Sequence, residues 1–178
     1  KYQIDLACDA LKTYAHIQQQ LSEKTQTLLK LGVPDWRLDT LPTHFSLLLK
    51  KETFLIDDGL SAAEIEKLCA MHDKVQRLCE TLASFSIPET IEHGDMHDNN
   101  IIINAQNKLI IHDWGDTVIT HPFFSLCNFL HSAVKQHDIK QEVPSIEQAY
   151  CDMWSKCDTK EHLKEVLSLT NHLREIKF

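Results

Sequence analysis

The stretch that decides the reading runs His93-Gly94-Asp95-Met96-His97-Asp98-Asn99-Asn100, then Ile101-Ile102-Ile103, then Asn104-Ala105-Gln106-Asn107. It continues through Leu109-Ile110-Ile111 to His112-Asp113-Trp114-Gly115-Asp116. Two short apolar, β-branched runs flank turn-forming residues, which predicts a β-hairpin. Antiparallel pairing brings Asn100, entering the first strand, close to Asp113, leaving the second. An amide oxygen and a carboxylate placed in this way can reach one hard cation, because Mg²⁺ takes oxygen ligands from few protein groups plus water. Asp95 stands apart from that pair, where a carboxylate can orient a hydroxyl and accept its proton.

Outward from the hairpin the pattern is helical. Ile4, Ala7, Cys8, Leu11, Tyr14, Ala15 and Leu21 recur at three- and four-residue spacing and predict one helix over 3–30, closed by Gly32-Val33-Pro34. Residues 33–60 read as irregular, with turns at Pro34, Pro42 and Asp57-Asp58-Gly59. Ser61-Ala62-Ala63-Glu64 has the form of a capping box. It opens a helix striped by Ile65, Leu68, Cys69, His72, Val75, Leu78 and Leu82, with His72 read as a satisfied core histidine. After the hairpin, Pro122 sits near the first turn of a helix through Phe123, Leu126, Cys127, Leu130 and Val134. A second capping box, Ser145-Ile146-Glu147-Gln148, opens a helix through Tyr150, Met153 and Trp154. Asp158 or Thr159 caps a last helix through Leu163, Val166, Leu167 and Leu173. The expectation is a mostly helical α+β domain over 1–178: helical over 1–86, the two polar loops and the hairpin over 87–116, helical again over 117–178.

Composition narrows the function. With 178 residues and 43% hydrophobic content the chain can bury a sizeable core. No run approaches the ~18 apolar residues of a membrane span, so no membrane partner is expected. The net charge of −8 argues against nucleic acid as a partner. Six cysteines, at 8, 69, 79, 127, 151 and 157, form no C-x-x-C pair. They read as reduced thiols of a cytoplasmic protein and not as a zinc site.

The loop residues carry a specific resemblance. Protein kinases transfer phosphoryl groups with H-R-D-x-x-x-x-N and D-F-G. Here His93-Gly94-Asp95 with Asn100 keeps the D-x-x-x-x-N spacing, and Asp113-Trp114-Gly115 keeps the shape of D-F-G. With Gly in place of Arg, the chain resembles the aminoglycoside phosphotransferase and choline kinase-like family, whose pattern runs H-G-D-x-H-x-x-N, hairpin, I-D-W. The resemblance implies the C-terminal lobe of a protein-kinase-like fold and transfer of the γ-phosphoryl of ATP, or GTP in some members, to a small-molecule hydroxyl. It implies Asp95 as catalytic base, Asn100 and Asp113 as Mg²⁺ ligands and part of the nucleotide site, and Ile102 as part of the nucleotide floor. His97 would touch the transferred group. His93 is expected to brace the loop, Asp98 and Asp116 to be solvated carboxylates, and Trp114 and Phe123-Phe124 to pack.

Two departures stand out. Family members often carry a further Asp in a D-L-A-like stretch past the D-W element, where this chain reads His121-Pro122-Phe123-Phe124-Ser125-Leu126. No G-x-G loop or V-A-I-K-like strand precedes Asp95, so the N-terminal lobe is expected to be absent and the chain inactive alone, with both ends cut. Two other readings compete. Asp95-Met96-His97 matches the D-x-H start of a metallophosphoesterase, although the later ligand motifs of that class are missing. A degenerate kinase-like binding module is the non-enzymatic alternative.

Overall fold

A computed structural model describes residues 2–106 and 108–174. Helix α1 (Ile4–Ser22) buries Ala7, Ala10, Leu11, Tyr14, Ala15 and Gln18 on one face. That face packs on a later helix and strand, so α1 runs through the centre of the molecule. The expected helix over 3–30 is in fact two. After a turn at Glu23 and Lys24 the chain restarts as α2 (Thr25–Lys30). The Thr25 hydroxyl donates to the Ser22 carbonyl at 2.8 Å, and α2 buries no residue, so nothing holds it in line with α1. Gly32, at φ 95°, ends α2 as expected.

Residues 33–60 are more regular than the sequence suggests. They hold α3 (Leu41–Leu49), with Pro42 in its first turn, and α4 (Glu52–Asp57). The capping box at Ser61 forms: Glu64 N–H donates to Ser61 Oγ at 3.3 Å, and Ser61 N–H to Glu64 Oε2 at 2.9 Å. The helix it opens is broken in two, α5 (Ala62–Cys69) and α6 (His72–Ala83). The stripe continues through the break, but α5 packs on α3 and α4 while α6 packs on α3 and the last helix, and packing overrides the period. His72 falls in the first turn of α6 with its side chain 40% exposed beside Asp73, and is no core histidine.

The hairpin forms as expected from β2 (Ile101–Ile103) and β3 (Leu109–Ile111), in register Ile101↔Ile111. A second antiparallel pair joins β1 (Thr90–Glu92) to β4 (Val118–Thr120), in register Glu92↔Val118. It brackets the hairpin in sequence, and it corrects the expectation of a helical domain with a single hairpin. Residues 34–36 run along β4: Ile119 N–H donates to Pro34 O and Trp36 N–H to Ile119 O, each at 2.9 Å.

Three helices close the fold. α7 (Phe123–Gln136) follows Pro122, with Phe123 and Phe124 buried. α8 (Val143–Met153) starts two residues before the predicted cap. Pro144 occupies its first turn, and Ser145 lies inside the helix instead of capping it. α9 (Lys160–Arg174) is capped by Thr159, whose Oγ1 accepts the N–H of His162 at 3.2 Å. Tyr14, Phe123, Phe129, Tyr150 and Trp154 fill the core. Among the described residues no helix is long and apolar enough to cross a membrane, and all six cysteines are free thiols.

Candidate active site

The two short ladders hold the two polar loops together from both sides. At the hairpin, β2–β3 pairing continues one step outward: His112 N–H donates to Asn100 O at 3.1 Å. Asp113 comes next. At φ 63° and ψ 58° it is the one non-glycine residue of positive φ among the described residues. Asp tolerates this left-handed geometry better than a branched residue does. The indole N–H of Trp114 donates to Ile111 O at 2.9 Å and pins the turn. At the other ladder, the step past Glu92↔Val118 and His93 brings Gly94 against Asp116. Gly94 has φ 84°, and a Cβ there would stand 2.2 Å from the Asp116 carbonyl oxygen. Only glycine satisfies both conditions.

Within this frame the side chains meet. Asn100 is buried, and its Nδ2 donates to Asp95 O at 2.8 Å and lies 3.3 Å from Asp95 Oδ2. A backbone carbonyl accepts only, so the amide nitrogen must face it, and Oδ1 is the atom available to a cation. His97 Nδ1 accepts the N–H of Asn99 at 3.2 Å, which places the ring proton on Nε2, 3.1 Å from Asp95 Oδ2. His97 thus orients the Asp95 carboxylate, whose side chain is 53% exposed. His93 braces the loop as expected: fully buried, it donates from Nε2 to His112 O at 2.9 Å, with its ring 4.8 Å from that of Trp114.

Asp98 is not simply solvated. Its Oδ1 accepts the Tyr2 hydroxyl at 3.1 Å, and its Oδ2 faces His137 Nε2 at 3.1 Å. Burial first, and the Asp98 charge second, raise the Tyr2 pKa. The carboxylate ties the loop that follows His93 to the start of α1 and the end of α7. Asp116 is exposed. Ile102 and Ile110, paired across the hairpin, are 46% and 39% exposed, so the hairpin shows one apolar face to solvent. A cavity of about 440 Å³ borders Asp98 and Asn99 between Tyr2, Leu6, Phe129 and His137; Asp95, Asn100 and Asp113 lie outside it.

Asn100 and Asp113 supply oxygen ligands of the kind Mg²⁺ takes. No cluster of three or more His, Cys, Asp or Glu residues suited to a metal occurs among the described residues. An amide oxygen on Asn100 and a carboxylate on Asp113 are donor types that suit a hard cation taking its other ligands from water and substrate.

A layer of buried polar residues behind the loop escaped the sequence reading. His93 N–H donates to Tyr14 Oη at 2.9 Å, Tyr14 Oη lies 2.8 Å from Ser125 Oγ, and Ser125 Oγ lies 3.2 Å from Glu92 Oε1. Asn128 Nδ2 also donates to Glu92 Oε1, at 3.2 Å. Gln18 Nε2 donates to Ile91 O at 3.0 Å, and its Oε1 accepts the Tyr150 hydroxyl at 2.6 Å. The available signal was Gln18, a polar residue four places after Tyr14 on the apolar stripe of α1. His121 is fully buried, and burial pushes its imidazole down to about 3, so it is uncharged at neutral pH.

Compared with known families, residues 5–159 match the model described as "Phosphotransferase enzyme family". No curated protein matches the chain.

Proposed function

The chain belongs to the phosphotransferase enzyme family, and from that premise we propose that it carries the catalytic half of an ATP-dependent kinase for a hydroxyl of a small molecule. The observation that carries the reading is the meeting of Asp95, Asn100 and His112-Asp113: the Asn100 amide is bonded to Asp95, and the Asn100 carbonyl to the residue before Asp113. In this reading Asp95 is the general base. It accepts the proton of the attacking hydroxyl, held in place by the Nε2–H of His97. Asn100 Oδ1 and the Asp113 carboxylate hold Mg²⁺, which when bound neutralises charge on the nucleotide phosphates. Ile102, with Ile110 beside it, offers an apolar face for the purine base. Amino alcohols, aminoglycosides, homoserine and sugar derivatives are all candidate acceptors.

The chain corresponds in this proposal to the C-terminal lobe of a kinase-like cleft, with the glycine-rich loop and its Lys supplied from elsewhere. Free thiols agree with a cytoplasmic setting. The test uses the full-length protein with labelled ATP, Mg²⁺ and a panel of these acceptors, beside Asp95→Ala. Transfer to one class, lost in the variant, is the expected result. No transfer and no Mg-nucleotide binding would instead favour a degenerate binding module. Phosphorylation by residues 1–178 alone would count against the half-cleft assignment.

A further inference from the structure

The buried layer behind the loop has a direction. A carboxylate accepts hydrogen bonds, so Ser125 gives its one hydroxyl proton to Glu92. Tyr14 must then be the donor to Ser125, since the alternative acceptor, Ile91 O, is 3.5 Å away against 2.8 Å. The Tyr14 oxygen in turn accepts the backbone N–H of His93. Three hydrogen bonds thus run one way, from His93 through Tyr14 and Ser125 to Glu92. All four residues are fully buried. In so dry a setting each bond polarises the next. Burial first, and Glu92 second, raise the Tyr14 pKa, so the phenol keeps the proton the chain requires. The Tyr14 ring also lies 6.0 Å from that of Trp114, so one side chain of α1 meets both catalytic loops.

We infer that Tyr14 is a positioning residue for Asp95: its hydroxyl fixes the backbone of His93, two residues before the carboxylate, and with it the stance of the whole loop. The inference rests on the phosphotransferase reading of the site. Tyr150 is the natural control. It is equally buried in the same core, but its hydroxyl bonds to Gln18 Oε1 at 2.6 Å and Pro122 O at 2.9 Å, not to the loop.

The experiment compares Tyr14→Phe, Ser125→Ala and Tyr150→Phe in the full-length protein. It follows transfer kinetics, thermal unfolding and the backbone amide resonance of His93. For Tyr14→Phe we expect kcat to fall by about tenfold or more, since small misplacements of reacting groups carry penalties of that order. KM for the nucleotide should stay put, and the His93 amide proton should move upfield as its acceptor is lost. Ser125→Ala, which breaks the next link, should show the same pattern more weakly, and it carries the test if Tyr14→Phe does not fold. Tyr150→Phe should lower stability and leave kcat unchanged. An unchanged kcat in both loop-side variants, or an equal loss in Tyr150→Phe, overturns the inference. If the wild type transfers nothing, the phosphotransferase reading fails on its own terms. The His93 resonance then decides the Tyr14 contact: a shift in Tyr14→Phe supports it, and an unmoved resonance overturns it.

Discussion

Gly94 lies so close to the backbone of Asp116 that the two polar loops touch with no side chain between them. Both the positive φ and the contact exclude a Cβ. Gly94→Ala should therefore destabilise the protein by about 1–3 kcal/mol, the usual range for a residue forced into a disfavoured backbone region. It should also reduce transfer by more than tenfold by prising the loops apart. Denaturant unfolding and steady-state kinetics on one preparation check both; wild-type values in either would mean that the loops do not depend on the contact.

Asp113 gives the opposite combination. Its left-handed backbone is one that glycine adopts more readily. Asp113→Gly should abolish Mg²⁺-dependent transfer without lowering stability by more than about 1 kcal/mol. A clear fall in the unfolding midpoint would show that the carboxylate holds the fold together and not only a cation.

His97 is expected to act through Asp95. His97→Ala removes the Nε2–H at Asp95 Oδ2 and should slow transfer by about 10–100-fold, less than the roughly 100–10,000-fold contributed by a group that transfers the proton itself. Asp95→Ala should cost at least as much, and the double variant should be no worse than Asp95→Ala alone. Additive losses in the double variant would give His97 a role independent of the carboxylate.

His121 sets a pH dependence of stability. In the unfolded chain the imidazole titrates near 6.5; in the folded protein burial lowers it to about 3. Between those values the unfolded state binds the extra proton, so stability is full above 6.5 and falls as the pH drops toward 3. The limiting slope for one such group is about 1.4 kcal/mol per pH unit. Chemical unfolding of wild type and His121→Gln from pH 4 to 7 should show this slope reduced in the variant. Parallel curves would place the proton uptake elsewhere.

What the sequence disclosed follows from the range of the signals. The hairpin, the Ser61 capping box and the meeting of Asn100 with the second loop are carried by residues near one another in the chain, and all appear. The β1–β4 pair did not, because Thr90–Glu92 and Val118–Thr120 are three residues each and too short to show alternation. The break at 70–71 was hidden by a stripe that runs on through it, and the one at 23–24 falls after the last stripe residue, Leu21, with no stop signal before Gly32. Ser145 was misread because Pro144 is the stronger start signal. The Tyr14–Ser125–Glu92 relay joins residues 111 and 33 positions apart, and no local pattern announces it.

The two ladders close the polar loops into a ring, stitched at its base by β1 and β4 and across its middle by β2 and β3. A ring fixes its own circumference. A residue added between 95 and 100, or between 112 and 116, would have to bulge from one side of the ring and displace the side chains that side positions. Asn104–Gln106 and Lys108, at the hairpin tip, lie outside the ring and are free of that constraint. Across related chains, length should therefore drift at the tip and stay constant within the loops, so that the spacing of the motif is a mechanical tolerance as well as a chemical signature.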